Sequence, residues 1–164
     1  MLSDYEVKGE LKTPFTKGGV FAVEKNGKEY ILKKSPSKNE IDILQKLSSY
    51  SFFPMVIEFG QDYLITAKMP GKTLYEYSGG KQKFFEIYAK AYKIIIGIKD
   101  GGGNFFNHGD FCPVNIIVYE DKIFFVDFEK SYFARRNDDL ETVRQIIEKH
   151  YGKGAYDEFM REYL

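Results

Sequence analysis

The chain has one cysteine (Cys112), two histidines (His108 and His150) and no tryptophan among its 164 residues. A single thiol excludes an intramolecular disulfide framework and a cysteine-rich zinc site. Two histidines leave little for a histidine-based metal centre. A charge of one sign is also lacking, since Lys plus Arg is 24 and Asp plus Glu is 24. Such a balanced chain has no global electrostatic claim on nucleic acid. No apolar run approaches the ~20 residues that a membrane helix needs. The opening Met1-Leu2-Ser3-Asp4-Tyr5-Glu6 has neither the basic start nor the apolar stretch of a secretory signal. The expectation is a soluble, cytoplasmic protein with no membrane attachment. Repeats and low-complexity segments are absent too. What is there is globular: 43% hydrophobic and 29% charged residues, with Tyr 13 and Phe 15. A chain of this length buries roughly 70% of the surface its unfolded form exposes, enough for a core without disulfides.

The first third reads as strands. Val20-Phe21-Ala22-Val23 and Tyr30-Ile31-Leu32 flank Asn26-Gly27, which predicts a hairpin. Ser35-Pro36-Ser37 breaks the second strand, and Ser37 or Asn39 could cap a helix with Ile41, Leu44 and Leu47 on one face and Ile43 nearby. Phe53-Pro54 stops that helix. Two further strands are predicted, from Met55 to Phe59 and from Tyr63 to Ala67, before Pro70-Gly71 punctuates the chain. Beyond it, Phe84 to Ile98 is apolar at helical period. Asn115 to Tyr119 and Ile123 to Val126 form a second hairpin. Asp138 to His150 and Tyr156 to Leu164 read as helices, the first with Leu140, Val143, Ile146 and Ile147 on one face. The fold class expected is α+β: a β-rich part holding one helix (1–69), then a mainly helical part holding one hairpin (70–164).

The most informative stretch is His108-Gly109-Asp110-Phe111-Cys112-Pro113-Val114-Asn115. Asp110 and Asn115 lie on a loop entering a strand and can reach one point from two sides. Phosphoryl transfer uses such a pair, a carboxylate to orient the attacking hydroxyl and an amide oxygen to hold a metal beside the phosphates. Asp127 ends the partner strand of the same hairpin, which brings it near Asn115. Two hard oxygen donors there suit Mg²⁺, which keeps several waters. Upstream, Lys33 on a strand can neutralise phosphates, with Glu40 on the following helix to hold it. Lys34 and Asp42 are the rivals, because adjacent strand residues face opposite ways. Lys17-Gly18-Gly19 forms a glycine turn whose N–H groups could approach phosphate.

Together these residues resemble the protein-kinase-like superfamily. His-x-Asp-x-x-Pro-x-Asn is matched at His108, Asp110, Pro113 and Asn115, and Asp-Phe at Asp127-Phe128. Lys33 and Glu40 match the strand lysine and helix glutamate. Tyr63 to Leu74 looks like the last strand of a kinase N-lobe and the hinge, so the resemblance implies that the backbone of Thr66, Ala67, Lys68 and Met69 bonds adenine. It also implies a bilobal fold, with 1–69 as the kinase N-lobe and 70–164 as a reduced C-lobe.

The departures narrow the likeness. Gly109 replaces the arginine of His-Arg-Asp, and Glu129 stands where Asp-Phe-Gly has glycine. Helix begins so soon after Asp127 that no long activation segment fits, and Ala-Pro-Glu is missing. His-Gly-Asp with Asp-Phe-Glu is similar to aminoglycoside and choline kinases. The compact tail is similar to lipopolysaccharide Kdo and heptose kinases, to RIO-type kinases and to the small kinase of the tRNA threonylcarbamoyl complex. The resemblance implies an ATP- and Mg²⁺-dependent phosphotransferase acting on a hydroxyl. The shortness of the second part favours a protein Ser/Thr acceptor, its own hydroxyls included, or a protein partner. The alternatives are a nucleotide-binding pseudokinase or assembly subunit, and a small-molecule or lipopolysaccharide-type sugar kinase.

Overall fold

The computed structural model describes residues 2–11, 19–77 and 79–164. It divides the chain into two compact units, residues 1–69 and 70–164. The architecture is α+β, as the sequence pattern predicts.

The first unit is a five-stranded antiparallel sheet in the order β1-β2-β3-β5-β4, with one helix. Its strands are β1 (Glu6–Glu10), β2 (Val20–Lys25), β3 (Lys28–Lys34), β4 (Val56–Phe59) and β5 (Tyr63–Ala67). Asn26 and Gly27 both adopt positive φ (53° and 74°), the conformation a two-residue hairpin turn requires. That turn fixes the β2–β3 register from Lys25 opposite Lys28 to Val20 opposite Lys33. Val23, Leu32 and Ile65 form the buried centre, with Tyr5, Phe21, Tyr30 and Tyr63 packed around it.

Helix α1 (Lys38–Lys46) starts at Ser37, whose hydroxyl accepts from Glu40 N at 3.1 Å. Its buried face is Glu40, Ile43, Leu44 and Leu47. Ile41, expected on that face, is only half-buried. The stripe at i, i+3, i+4 and i+7 begins at Glu40, so a carboxylate holds the position an apolar residue would normally fill.

The second unit contains β6 (Lys72–Thr73), α2 (Gly80–Ile96), β7 (Phe105–Asn107), β8 (Ile116–Tyr119), β9 (Lys122–Phe125), β10 (Tyr132–Ala134), α3 (Asp139–Tyr151) and α4 (Ala155–Tyr163). β6, β8 and β9 form one small sheet, and β7 pairs with β10 in another. α2 begins before Phe84 because Lys81, Gln82 and Lys83 make an exposed polar first turn with no apolar period. Its inner face carries Phe85, Tyr88, Ala91, Tyr92 and Ile95 into a core shared with Phe111, Phe125, Val143, Ile147 and Phe159. Tyr88 stacks on Phe111 with centroids 5.4 Å apart, and its hydroxyl donates to Phe111 O at 2.6 Å. That bond satisfies a phenol buried in an otherwise apolar core and ties α2 to the Asp110 loop. Among the described residues no helix is long and apolar enough to cross a membrane.

Candidate active site

In the first unit Lys33 Nζ lies 2.8 Å from Glu40 Oε2. The lysine side chain is 22% exposed and the glutamate 5%. A carboxylate so deeply buried is tolerable only with a cation on it, so the pair holds the β3 lysine in one place. The rivals go elsewhere: Lys34 Nζ sits over the Phe21 ring, 4.9 Å from its centroid, and Asp42 is exposed. Pleating decides this, since Lys33 and Lys34 leave the sheet on opposite faces.

Gly18 lies outside the described residues. Gly19 has φ +76° and donates its N–H to Glu10 Oε1 at 3.3 Å, while its carbonyl accepts from Lys34 N at 2.7 Å. Thr66 is buried within β5 and Ala67 ends it, with Ala67 N donating to Met55 O at 2.9 Å. Lys68 turns its ammonium to Glu29 at 2.8 Å, so only its backbone is available for the hinge role the sequence implies. Met69 closes the unit and is half-buried.

In the second unit the backbone joins Asp110, Asn115 and Asp127 into one arrangement. Asn115 Nδ2 donates to Asp110 O at 2.9 Å, which fixes the amide and leaves its oxygen as the acceptor end. Val126 N donates to Asn115 O at 3.0 Å, so Asp127 follows directly from a bond to Asn115. Asp127 itself has φ +65°. A left-handed backbone at a non-glycine residue costs of order 1–3 kcal/mol and persists where the surroundings over-determine it. Keeping a carboxylate there, where glycine would sit without strain, points to a use for it. Asn115 and Asp127 supply two hard oxygens, which fits Mg²⁺ completed by waters and phosphate oxygens.

Asp110 Oδ2 lies 2.8 Å from Lys130 Nζ. Burial, and then the Asp110 charge, push the Cys112 thiol up to about 11, so it is a protonated packing group at neutral pH. His108 is fully buried, and burial holds its pKa below the ordinary 6.5. The neutral imidazole donates from Nε2 to Val126 O at 3.1 Å and braces the Asp110 loop against the strand that leads to Asp127.

Two contributors are invisible to sequence reasoning. Asp139, 2% exposed, accepts from His108 N at 2.7 Å with Oδ2 and from Gly109 N at 3.0 Å with Oδ1. Burial raises its pKa against the opposing pull of those two amides. In the sequence Asp138-Asp139 reads as an acidic helix start, and nothing local separates the buried residue from its neighbour. The second is the segment 129–131. Gly109 has φ +74°, and a Cβ on it would strike the Lys130 carbonyl. The glycine of His-Gly-Asp therefore makes room for the chain beyond Asp127 to lie directly on the turn that carries Asp110. Ser131 Oγ then donates to His108 O at 2.7 Å.

No family model matches the chain. It is 28% identical over 142 residues to the EKC/KEOPS complex subunit BUD32 of Enterocytozoon bieneusi (strain H348), covering 79% of this chain and 69% of that one. The aminoglycoside phosphotransferase APH(4)-Ia is similar in structure with a TM-score of 0.72 at 11% identity, over 99% of this chain and 79% of that one. The Cydia pomonella granulovirus kinase PK-1 superposes with a TM-score of 0.61 at 16% identity, over 87% of this chain. The Rad53 kinase domain does so with 0.59 at 19% identity, over 80% of this chain. The chain spans 63% of the granulovirus kinase and 51% of the Rad53 chain. The fold is that of the protein-kinase-like superfamily.

Proposed function

From a chain with this fold we propose an ATP- and Mg²⁺-dependent phosphotransferase that passes the γ-phosphate to a hydroxyl. Residues 1–69 serve as the nucleotide-binding lobe and 70–164 as the catalytic lobe. Lys33, held by Glu40, neutralises the α- and β-phosphates. The backbone of 66–69 takes adenine, and Gly18 and Gly19 line the phosphates. For Gly19 that requires its N–H to exchange the Glu10 carboxylate for phosphate. Asn115 and Asp127 hold the metal, and Asp110 orients the acceptor hydroxyl. Phosphoryl transfer asks mainly for positioning and charge neutralisation, which this set can supply. The observation that carries the reading is the backbone-linked trio Asp110, Asn115 and Asp127, with Asp127 kept in a strained conformation. A module that only bound a partner would need none of the three together.

The acceptor we propose is a protein Ser/Thr hydroxyl, its own included. Among residues 128–138 there is only the short strand β10, so no helical acceptor-binding insertion follows Asp127. The relative named as a complex subunit supports a macromolecular partner. The test supplies γ-labelled ATP and Mg²⁺ to the purified chain alone, with a basic protein, and with a panel of sugars and aminoglycosides. Label is expected on protein serine or threonine. Label confined to a small molecule would replace this acceptor with a metabolite. ATP binding without label anywhere would make the chain a nucleotide-binding assembly subunit.

A further inference from the structure

Lys130 is the one lysine placed against the Asp110 carboxylate among the described residues, with Nζ 2.8 Å from Oδ2. Its side chain is 62% exposed, and a surface ion pair between two mobile side chains would carry no weight. This pair differs because the lysine's backbone is packed, through its carbonyl and Ser131, on the turn that carries its partner. Ser131 N donates to Phe128 O at 3.1 Å, closing the chain into a turn just after Asp127. The Ser131 hydroxyl bonds His108 O, and Tyr132 pairs with Asn107 as β10 meets β7. The Lys130 carbonyl occupies the space that the missing Gly109 side chain leaves. The Lys130 backbone is therefore held beside Asp110, and its side chain starts from a fixed point within reach of the carboxylate.

We infer that Lys130 is a positioning residue for the proposed transfer: it takes one oxygen of Asp110, so that the carboxylate is held in one rotamer toward the acceptor hydroxyl. The inference rests on the phosphotransferase reading above. A carboxylate has two oxygens and roughly four lone-pair sites, so one ammonium group leaves acceptor capacity for a hydroxyl. A loose phosphoryl-transfer transition state asks mainly that the hydroxyl be aimed, which a fixed carboxylate oxygen can do. The asymmetry also explains the pattern Asp127-Phe128-Glu129-Lys130 beside a glycine at position 109: the glycine admits the segment, and the segment delivers the charge.

The experiment compares wild type, Lys130→Met and Lys130→Arg for kcat and for KM of ATP, with phosphate transfer from γ-labelled ATP to a basic protein as readout. Thermal melting and ATP binding are followed in parallel. Lys130→Met is expected to lose about 10–100-fold in kcat, the scale of a misaimed reacting group, with KM for ATP and the melting temperature unchanged. Lys130→Arg keeps the charge and the donors and is expected to recover most of the loss. A Lys130→Met enzyme with wild-type or higher kcat would overturn the inference and leave the phosphotransferase reading standing. So would a Lys130→Arg enzyme as slow as Lys130→Met. A wild type that binds ATP but transfers nothing would remove the reading, and this inference with it.

Discussion

Replacing Asp110 by Asn is expected to abolish phosphate transfer while leaving ATP affinity nearly unchanged. The substitution keeps the shape and removes the charge proposed to aim the acceptor hydroxyl. Losing a positioned acid–base group costs about 10²–10⁴-fold in rate. The proposed nucleotide contacts (Lys33, Gly18, Gly19 and the backbone of 66–69) and the proposed metal ligands Asn115 and Asp127 are untouched by this change. Stability should hold, because the Asp110 side chain is 35% exposed and its ion pair with Lys130 is solvent-screened. What stays in place is the Asn115 amide bond to the Asp110 carbonyl, which a side-chain change does not touch. Single-turnover transfer and equilibrium ATP binding on the same preparation separate the two effects. Transfer within a few-fold of wild type would sink the assignment of Asp110.

The largest effect on stability is expected at Asp139. Its two oxygens satisfy the N–H groups of buried His108 and half-buried Gly109, in the turn that carries Asp110. Asp139→Ala strands two amides at once, and each unsatisfied buried donor costs about 1–3 kcal/mol. A loss of about 3 kcal/mol would lower the melting temperature of a chain this size by roughly 10 °C. Asp139→Asn keeps one acceptor oxygen but turns an NH₂ toward the second amide, so it should fall between wild type and alanine. A thermal melt of Asp139→Ala within ~2 °C of wild type would show that the carboxylate does not support the turn. Activity should fall with stability in this series, whereas in the Asp110 variant it falls alone. That contrast distinguishes a residue that builds the site from one that uses it.

Much of this was legible in the chain, for local reasons. Asn26-Gly27 states a hairpin because few other pairs accept two positive φ values. The helices announce themselves where their inner faces are apolar. α2 therefore looked shorter than it is, and the α1 face was displaced toward Ile41, because Glu40 stands inside the apolar stripe. Asp110 and Asn115 were legible by spacing, being five residues apart on one loop. The hidden parts depend on long-range pairing. β1 carries Glu6-Val7-Lys8-Gly9-Glu10, all exposed, and exists because β2 offers an edge to pair with. β7 and β10 are too short to show a period. Gly109 read as the loss of an arginine, yet its local meaning is the space it leaves for the Lys130 backbone. Asp139 and Lys130 look like ordinary surface charges until the fold returns them to the turn at His108 to Asp110.

Metal-dependent transfer from ATP is the central expectation for this chain. Purified wild type and Asp127→Ala would be incubated with ATP labelled on its γ-phosphate and Mg²⁺, with and without a metal chelator. Label should pass from ATP to a hydroxyl, on this chain or on an added acceptor, in the wild type alone and only with metal present. No label from the wild type, together with no Mg²⁺-dependent thermal stabilisation by ATP, would contradict the nucleotide reading itself.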